Sequence, residues 1–372
     1  MPPLLPCRYL MRMVLRLKVL SACRALCHCA FRVVSWLPVV IVAIMLIWGY
    51  FVYVYIMNIS GTFPKSSNEA ISVLISVVFL FVGHVIYALL ISSYVRTIYA
   101  KHKKVPHEFH LTDAQLASMD ESVDCRELLR EMASDLPVQT ASRNGSIRYC
   151  DNCEIIKPDR CHHCSVCGTC ILKMDHHCPW VNNCVGHSNY KYFVLFLFYT
   201  VVLALWVCAT GLYDFIRAWT DILHSTPAYK FQVIFCYFIS AMFGFTTSFL
   251  LSFHVYLVCW NRTTLENMQY PVYEGSPYRR LYHLGVKRNL QQVFGKTLLR
   301  ALLPVSTSEG DGVSFPLHIS CTRLAMHNNH HSNHRGNEEA ILEAGHTSDS
   351  EVELFTSDHK LETQPLTKNT QL

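Results

Sequence analysis

Long stretches of this chain lack charge altogether. No Asp, Glu, Lys or Arg occurs between Arg32 and Lys65, from Ala70 to Val95, from Tyr192 to Tyr213, or from Phe231 to Asn261. Buried helices of soluble proteins seldom run beyond about 14 apolar residues, whereas a helix that crosses a bilayer needs about 20. Four runs of that length exclude an ordinary globular chain, although 372 residues, 51% of them hydrophobic, would suffice for two soluble domains. Internal repeats and a glycine-rich phosphate loop are also missing, which removes a solenoid and a phosphate cradle from consideration.

The expected fold is therefore an all-α polytopic membrane protein with transmembrane helices over residues 33–57, 70–95, 192–213 and 231–260. Lys and Arg crowd the first 32 residues, the middle loop (Arg96, Lys101, Lys103, Lys104) and the segment after the last span (Arg262, Arg279, Arg280, Lys287, Arg288). The two short loops hold only Lys65, Arg217 and Lys230. The positive-inside rule then puts both termini and the middle loop in the cytosol. Residues 1–32, which carry no acid, read as a basic interfacial arm, with Cys23, Cys27 and Cys29 open to S-acylation or simple burial. A glycosylation sequon at Asn58 lies hard against the lumenal membrane face. Residues 96–147 read as a cytosolic linker with a helix or two, and residues 317–372, polar and His-rich, as a disordered tail.

Between the second and third spans the composition changes. Residues 150–184 hold eight cysteines and four histidines, several of them in C-x2-C pairs able to wrap a tetrahedral zinc ion. A reducing cytosol disfavours disulfides and points to metal binding or catalysis. Two closed zinc sites need eight ligands, and three cysteines with one histidine each would leave two thiols over. Cys161 stands in C-x2-C register with Cys164, so spacing does not say whether it ligates or packs. Cys178 follows Asp175-His176-His177 and precedes the third span by about a dozen residues. A thiol there sits where lipid meets water. One neighbouring imidazole can accept its proton and be oriented by a carboxylate while the other binds zinc. Spacing alone also allows Asp175 to Cys178 to be further zinc scaffold.

The stretches Lys157-Pro158-Asp159-Arg160-Cys161-His162-His163-Cys164 and Lys173-Met174-Asp175-His176-His177-Cys178-Pro179-Trp180 resemble the cysteine-rich domain of the DHHC protein S-acyltransferases, the palmitoyltransferases. The similarity runs from about Trp36 to Pro316 and looks nearest to the animal subgroup numbered two, fifteen and twenty. The resemblance implies a zinc-binding domain over residues 148–191, with one ion held by Cys150, Cys153, His163 and Cys170 and a second by Cys164, Cys167, His177 and Cys184, leaving Cys161 as packing. It also implies Cys178 as the acyl-carrying nucleophile, His176 as base and Asp175 as its orienter. Thr263-Thr264-x-Glu266 and Asn289, in the cytosolic segment 261–316, match the family's supporting motifs, with Thr264 and Glu266 bracing the catalytic region.

The expected activity is transfer of a long-chain acyl group from acyl-CoA to juxtamembrane cysteines of client proteins at the Golgi, endoplasmic reticulum or plasma membrane. Two structural zinc ions serve the fold. Arg148, Arg160 and Lys173 are candidate partners for CoA phosphates, or alternatively solvated or lipid-facing cations. A zinc scaffold without catalysis and a metal transporter are the rivals; the latter needs ionisable ligands in the spans, where only His84 and His254 occur apart from thiols. Nucleic acid is disfavoured as a partner, because the module is tethered to a membrane and lacks a basic recognition helix.

Overall fold

The computed structural model describes residue 30 and residues 32–59, 69–121, 124–220 and 226–318. The basic arm, apart from Ala30 and Arg32, lies outside the described residues, as do Ser60 of the sequon and the tail beyond His318.

Four helices are long and apolar enough to cross a membrane: Arg32–Ile59, Val73–Tyr99, Tyr190–Thr210 and Pro227–Cys259. The first is α-helical over Leu37–Phe51 and continues as a π-helix over Val52–Ile59. The Asn58 side chain folds back there to donate to the Tyr53 carbonyl at 2.6 Å. Ile44, Ile47, Phe81, Phe231, Phe245 and Phe249 point outward and exposed, an arrangement stable only against lipid. Inward, Tyr53 of the first span accepts from Trp206 Nε1 of the third at 2.7 Å, and a Cβ built at Gly83 of the second would press on that tyrosine ring at 2.9 Å. Glycine is what lets these helices close on one another.

The linker forms two short helices, Asp113–Glu121 and Cys125–Met132. The cysteine-rich segment then folds into three antiparallel hairpins: β1 (Tyr149–Cys150) with β2 (Ile155–Ile156), β3 (His162–Cys164) with β4 (Thr169–Ile171), and β5 (His176–Cys178) with β6 (Asn183–Val185). Gly168, at φ +66°, makes the turn between β3 and β4, a conformation that costs other residues strain. A fourth hairpin pairs β7 (Val272–Tyr273) with β8 (Ser276–Pro277) after the last span. Strands of two or three residues bury little. The core of the module is correspondingly small: Phe109, Ile155 and Leu172 close around Cys150, Cys161 and Cys170, and Val313, from beyond the fourth span, completes it.

Hydrogen bonds fasten this module to the bilayer face. Asn183 Nδ2 donates to the carbonyls of Thr97, Ile98 and Ala100 at 3.1–3.2 Å, and Asn189 Nδ2 to Thr97 at 3.3 Å. Thr97 and Ile98 lie in the last turn of the second span and Ala100 just beyond it, where carbonyls have no intrahelical donor. Tyr94 of that span donates to the Trp180 carbonyl at 2.8 Å. Lys191, at the start of the third span, donates to the Arg300 and Val305 carbonyls and so ties in the C-terminal segment.

Candidate active site

Hairpin register builds two four-ligand clusters. Pairing of β3 with β4 sets His163 opposite Cys170, and pairing of β5 with β6 sets His177 opposite Cys184. The knuckle Cys150/Cys153 closes the first cluster and the knuckle Cys164/Cys167 the second; within each, the ligand atoms all lie within 4.8 Å of one another. Around His163 Nδ1 the sulfurs of Cys150, Cys153 and Cys170 stand at 3.5, 3.3 and 3.9 Å; around His177 Nδ1 those of Cys164, Cys167 and Cys184 stand at 3.7, 3.5 and 3.6 Å. Zinc bonds of about 2.3 Å to sulfur and about 2.0 Å to nitrogen, at tetrahedral angles, span an edge of about 3.5 Å. The donor sets fit such an ion. Cys161 belongs to neither cluster and is fully buried beside Phe109 and Leu172.

Alternation along β5 separates structure from chemistry. Successive side chains of a strand face opposite ways, so with His177 turned into the second cluster, His176 and Cys178 share the other face. Cys178 is 6% exposed and packs with Tyr94, Val181, Phe193 and Val194, among residues of the second and third spans. Cys178 lies near enough to His176 to help raise its pKa. His176 Nδ1 lies 2.7 Å from Asp175 Oδ2, which leaves Nε2 for the thiol. Burial opposes protonation of this imidazole, but Asp175 and then Cys178 outweigh it and raise its pKa to about 9. Burial likewise opposes ionisation of Asp175, and its bond to His176 reverses the balance, holding the carboxyl below its ordinary value.

Asp175 is held from behind by the helix that follows the fourth span. Thr264 donates its backbone N–H to Oδ1 at 2.9 Å and its hydroxyl to Oδ2 at 2.7 Å. Thr263 caps that helix, Thr264–Met268, in a capping box with Glu266. Glu266 in turn receives Arg160 in a bidentate pair, Nε to Oε1 and Nη2 to Oε2, both at 2.7 Å. The guanidinium stacks over Tyr282 and Phe315 at 4.3 and 4.9 Å and donates to the Asn261 carbonyl at 3.0 Å. Burial would lift the carboxyl's pKa, but Arg160 keeps Glu266 ionised. Asn289, 1% exposed, accepts from Leu284 N and donates to the Cys259 carbonyl at 2.7 Å, bracing the end of the fourth span.

Such a site, a thiol beside an oriented imidazole at the rim of a helix bundle and fastened by two metal knuckles, can be compared with known proteins. A family model described as DHHC palmitoyltransferase matches residues 143–271. Palmitoyltransferase ZDHHC15 of Xenopus laevis is 42% identical over 297 residues, 79% of this chain and 85% of its own. This chain belongs to the DHHC palmitoyltransferase family. Palmitoyltransferase ZDHHC2 of Mus musculus is 45% identical over 288 residues, 77% of this chain and 76% of its own, and the Homo sapiens form is 43% identical over 299 residues, 80% and 78%. The protein is a multi-pass membrane enzyme, a protein S-palmitoyltransferase.

One basic residue is placed otherwise than the sequence suggested. Arg160 is neither a CoA-phosphate partner nor a solvated cation: its fork is spent inside the protein on Glu266 and Asn261. Arg148 donates to the carbonyls of Pro158 and Cys161. The Lys173 ammonium approaches Asn261 Oδ1 at 3.4 Å, and burial, then Arg160, push its pKa down to about 7. Adjacency in sequence to the cysteine cluster hid these inward contacts. Asn261, at φ +48° and bonded to the Tyr282 carbonyl and Gln292, carries no sequence signal beyond its place directly before the Arg262-Thr263-Thr264 stretch.

Proposed function

We propose that acyl transfer proceeds in two steps on Cys178. Cys178 passes its thiol proton to His176, and its sulfur attacks the thioester carbonyl of a long-chain acyl-CoA. The carbon–sulfur bond to CoA breaks, and the departing CoA thiolate takes a proton from the His176 imidazolium. The thiol of a client cysteine then passes its proton to His176 and attacks the acyl-enzyme, forming a new thioester and returning the sulfur of Cys178. The observation that carries this reading is the shared face of His176 and Cys178 on β5, with Asp175 fixed by Thr264 on the other side of the ring. Burial of Cys178 among residues of the second and third spans favours an acyl chain that leaves the thiol directly into the helix bundle, and clients whose cysteines lie next to a membrane.

The two clusters hold zinc in this reading, and the ions fold a segment whose own core is small. Both termini face the cytosol, and the compartment is the Golgi, endoplasmic reticulum or plasma membrane. The decisive experiment incubates the purified protein with labelled palmitoyl-CoA. A hydroxylamine-sensitive acyl-enzyme is expected, and Cys178→Ser should abolish it. Equal labelling of the serine variant would place the nucleophile elsewhere.

A further inference from the structure

The fourth span sends a histidine into the catalytic centre from the membrane side. His254 is 1% exposed. One of its ring nitrogens, one of His176 and one carboxylate oxygen of Asp175 all lie within 4.8 Å of one another. Such a trio could suggest a third metal, but Asp175 already accepts from Thr264 through both oxygens and from His176 Nδ1, and His254 Nδ1 faces the Tyr190 hydroxyl. The arrangement serves something else.

An imidazole anchored at a single nitrogen can still rock about that anchor, and its free nitrogen would then lose aim at the thiol. His176 has one such anchor, Asp175. Two further rings flank it: Phe193, centroid at 5.3 Å and 71° to the plane, and His254 at 5.9 Å and 38°. Phe193 also meets His254 at 5.1 Å, nearly edge-on, so the three rings form a closed wedge. The side of the wedge formed by His254 is polar and sits in a span, where such a group is costly unless partnered. Its partner is Tyr190, the first residue of the third spanning helix, whose hydroxyl lies 3.1 Å from His254 Nδ1. With that hydroxyl donating to Nδ1, His254 carries its own proton on Nε2 as a neutral ring.

We infer that Tyr190 and His254 form a positioning pair that holds the His176 imidazole in its working orientation from the bilayer side, and so couples the third and fourth spans to the acylation step. This rests on the reading that Cys178 and His176 perform the chemistry. Tyr190 and His254 touch neither acyl group nor thiol in that scheme; they act through the ring of His176.

The test is single-turnover acylation of the purified full chain by labelled palmitoyl-CoA across a concentration series, with zinc content and thermal midpoint measured on every variant. His254→Ala should lower the maximal rate roughly tenfold while the half-saturating concentration stays within about twofold, the pattern of lost positioning and not of lost binding. Tyr190→Phe, which removes one hydroxyl and keeps the ring, should lower the rate by roughly fivefold, and the double variant should be no slower than His254→Ala alone, because the two residues work as a unit. His254→Gln, which keeps an acceptor for the hydroxyl, should recover part of the loss. A folded, zinc-loaded His254→Ala chain acylating at the parental rate overturns the inference, and so does a double variant in which the two losses multiply. Should His254→Ala fail to fold, Tyr190→Phe decides: parental turnover defeats the pair. Failure of the catalytic reading itself shows separately, as labelling that survives Cys178→Ser.

Discussion

Removing the carboxylate of Glu266 isolates a charge. Arg160 is buried to the last atom of its side chain, and its two strongest bonds run to that carboxylate at 2.7 Å. In Glu266→Ala the guanidinium keeps only the Asn261 carbonyl and amide oxygens, at 3.0 and 3.2 Å, and the faces of Tyr282 and Phe315. Breaking a buried pair from one side costs about 3–5 kcal/mol. At about 2–4 °C per kcal/mol for a domain of this size, the thermal midpoint should fall by on the order of 10 °C. The loss also removes half of the capping box that presents Thr264 to Asp175, so acyl-enzyme formation should weaken even below the melting range. Replacing both partners, Arg160→Met with Glu266→Leu, leaves no orphaned charge and should return much of the midpoint but less of the activity. The assay is a melting curve in detergent with parallel acyl-CoA labelling. A Glu266→Ala midpoint within about 2 °C of the parent would refute the reasoning, because the pair would then contribute no more than an exposed one.

Thr264→Val keeps the side chain's shape and the backbone bond to Asp175 but deletes the hydroxyl bond, a loss of about 1.5–3 kcal/mol for a charged acceptor; labelling rates should fall roughly tenfold or more with zinc content unchanged. Asn183→Asp removes the donor shared by three carbonyls at the end of the second span and just beyond it and puts a carboxylate against them, so its melting midpoint should fall further than that of Asn183→Ala. Elemental analysis should find about two zinc ions per chain, and chelation or Cys164→Ala should unfold the module and not merely slow turnover. His176 has its pKa raised from an ordinary 6.5 to about 9. Its stabilising pairing is therefore fully present below about pH 6.5 and is lost as pH rises through about 9, so the midpoints of the parent and His176→Gln should converge above that pH.

The four spans were legible because charge is absent over whole bilayer-length runs, a signal that needs no tertiary context. The ligand pairing was not legible in spacing: Cys161 and Cys164 stand in the same C-x2-C register as the true knuckles, and the resemblance alone suggested which cysteines go together. Hairpin register supplies the physical account, since only strand pairing sets His163 against Cys170 and His177 against Cys184. Arg160 was misread because a cation beside a metal cluster looks solvent-facing until the partner, about a hundred residues later in Glu266, is in place. In the sequence His254 is a rare intramembrane imidazole whose evident use is ion transport. Nothing in the order of residues shows that a helix brings it beside His176.

Val313 fills the core of a module written between the second and third spans, yet it is encoded after the fourth. A ribosome that has finished the last cysteine of that module, Cys184, must still deliver two membrane helices before the final wall arrives. Ordering of the metal-bearing hairpins is thereby coupled to completed insertion of the whole bundle. A nascent chain stalled before Val313 emerges holds Cys150, Cys161 and Cys170 in an unfinished core.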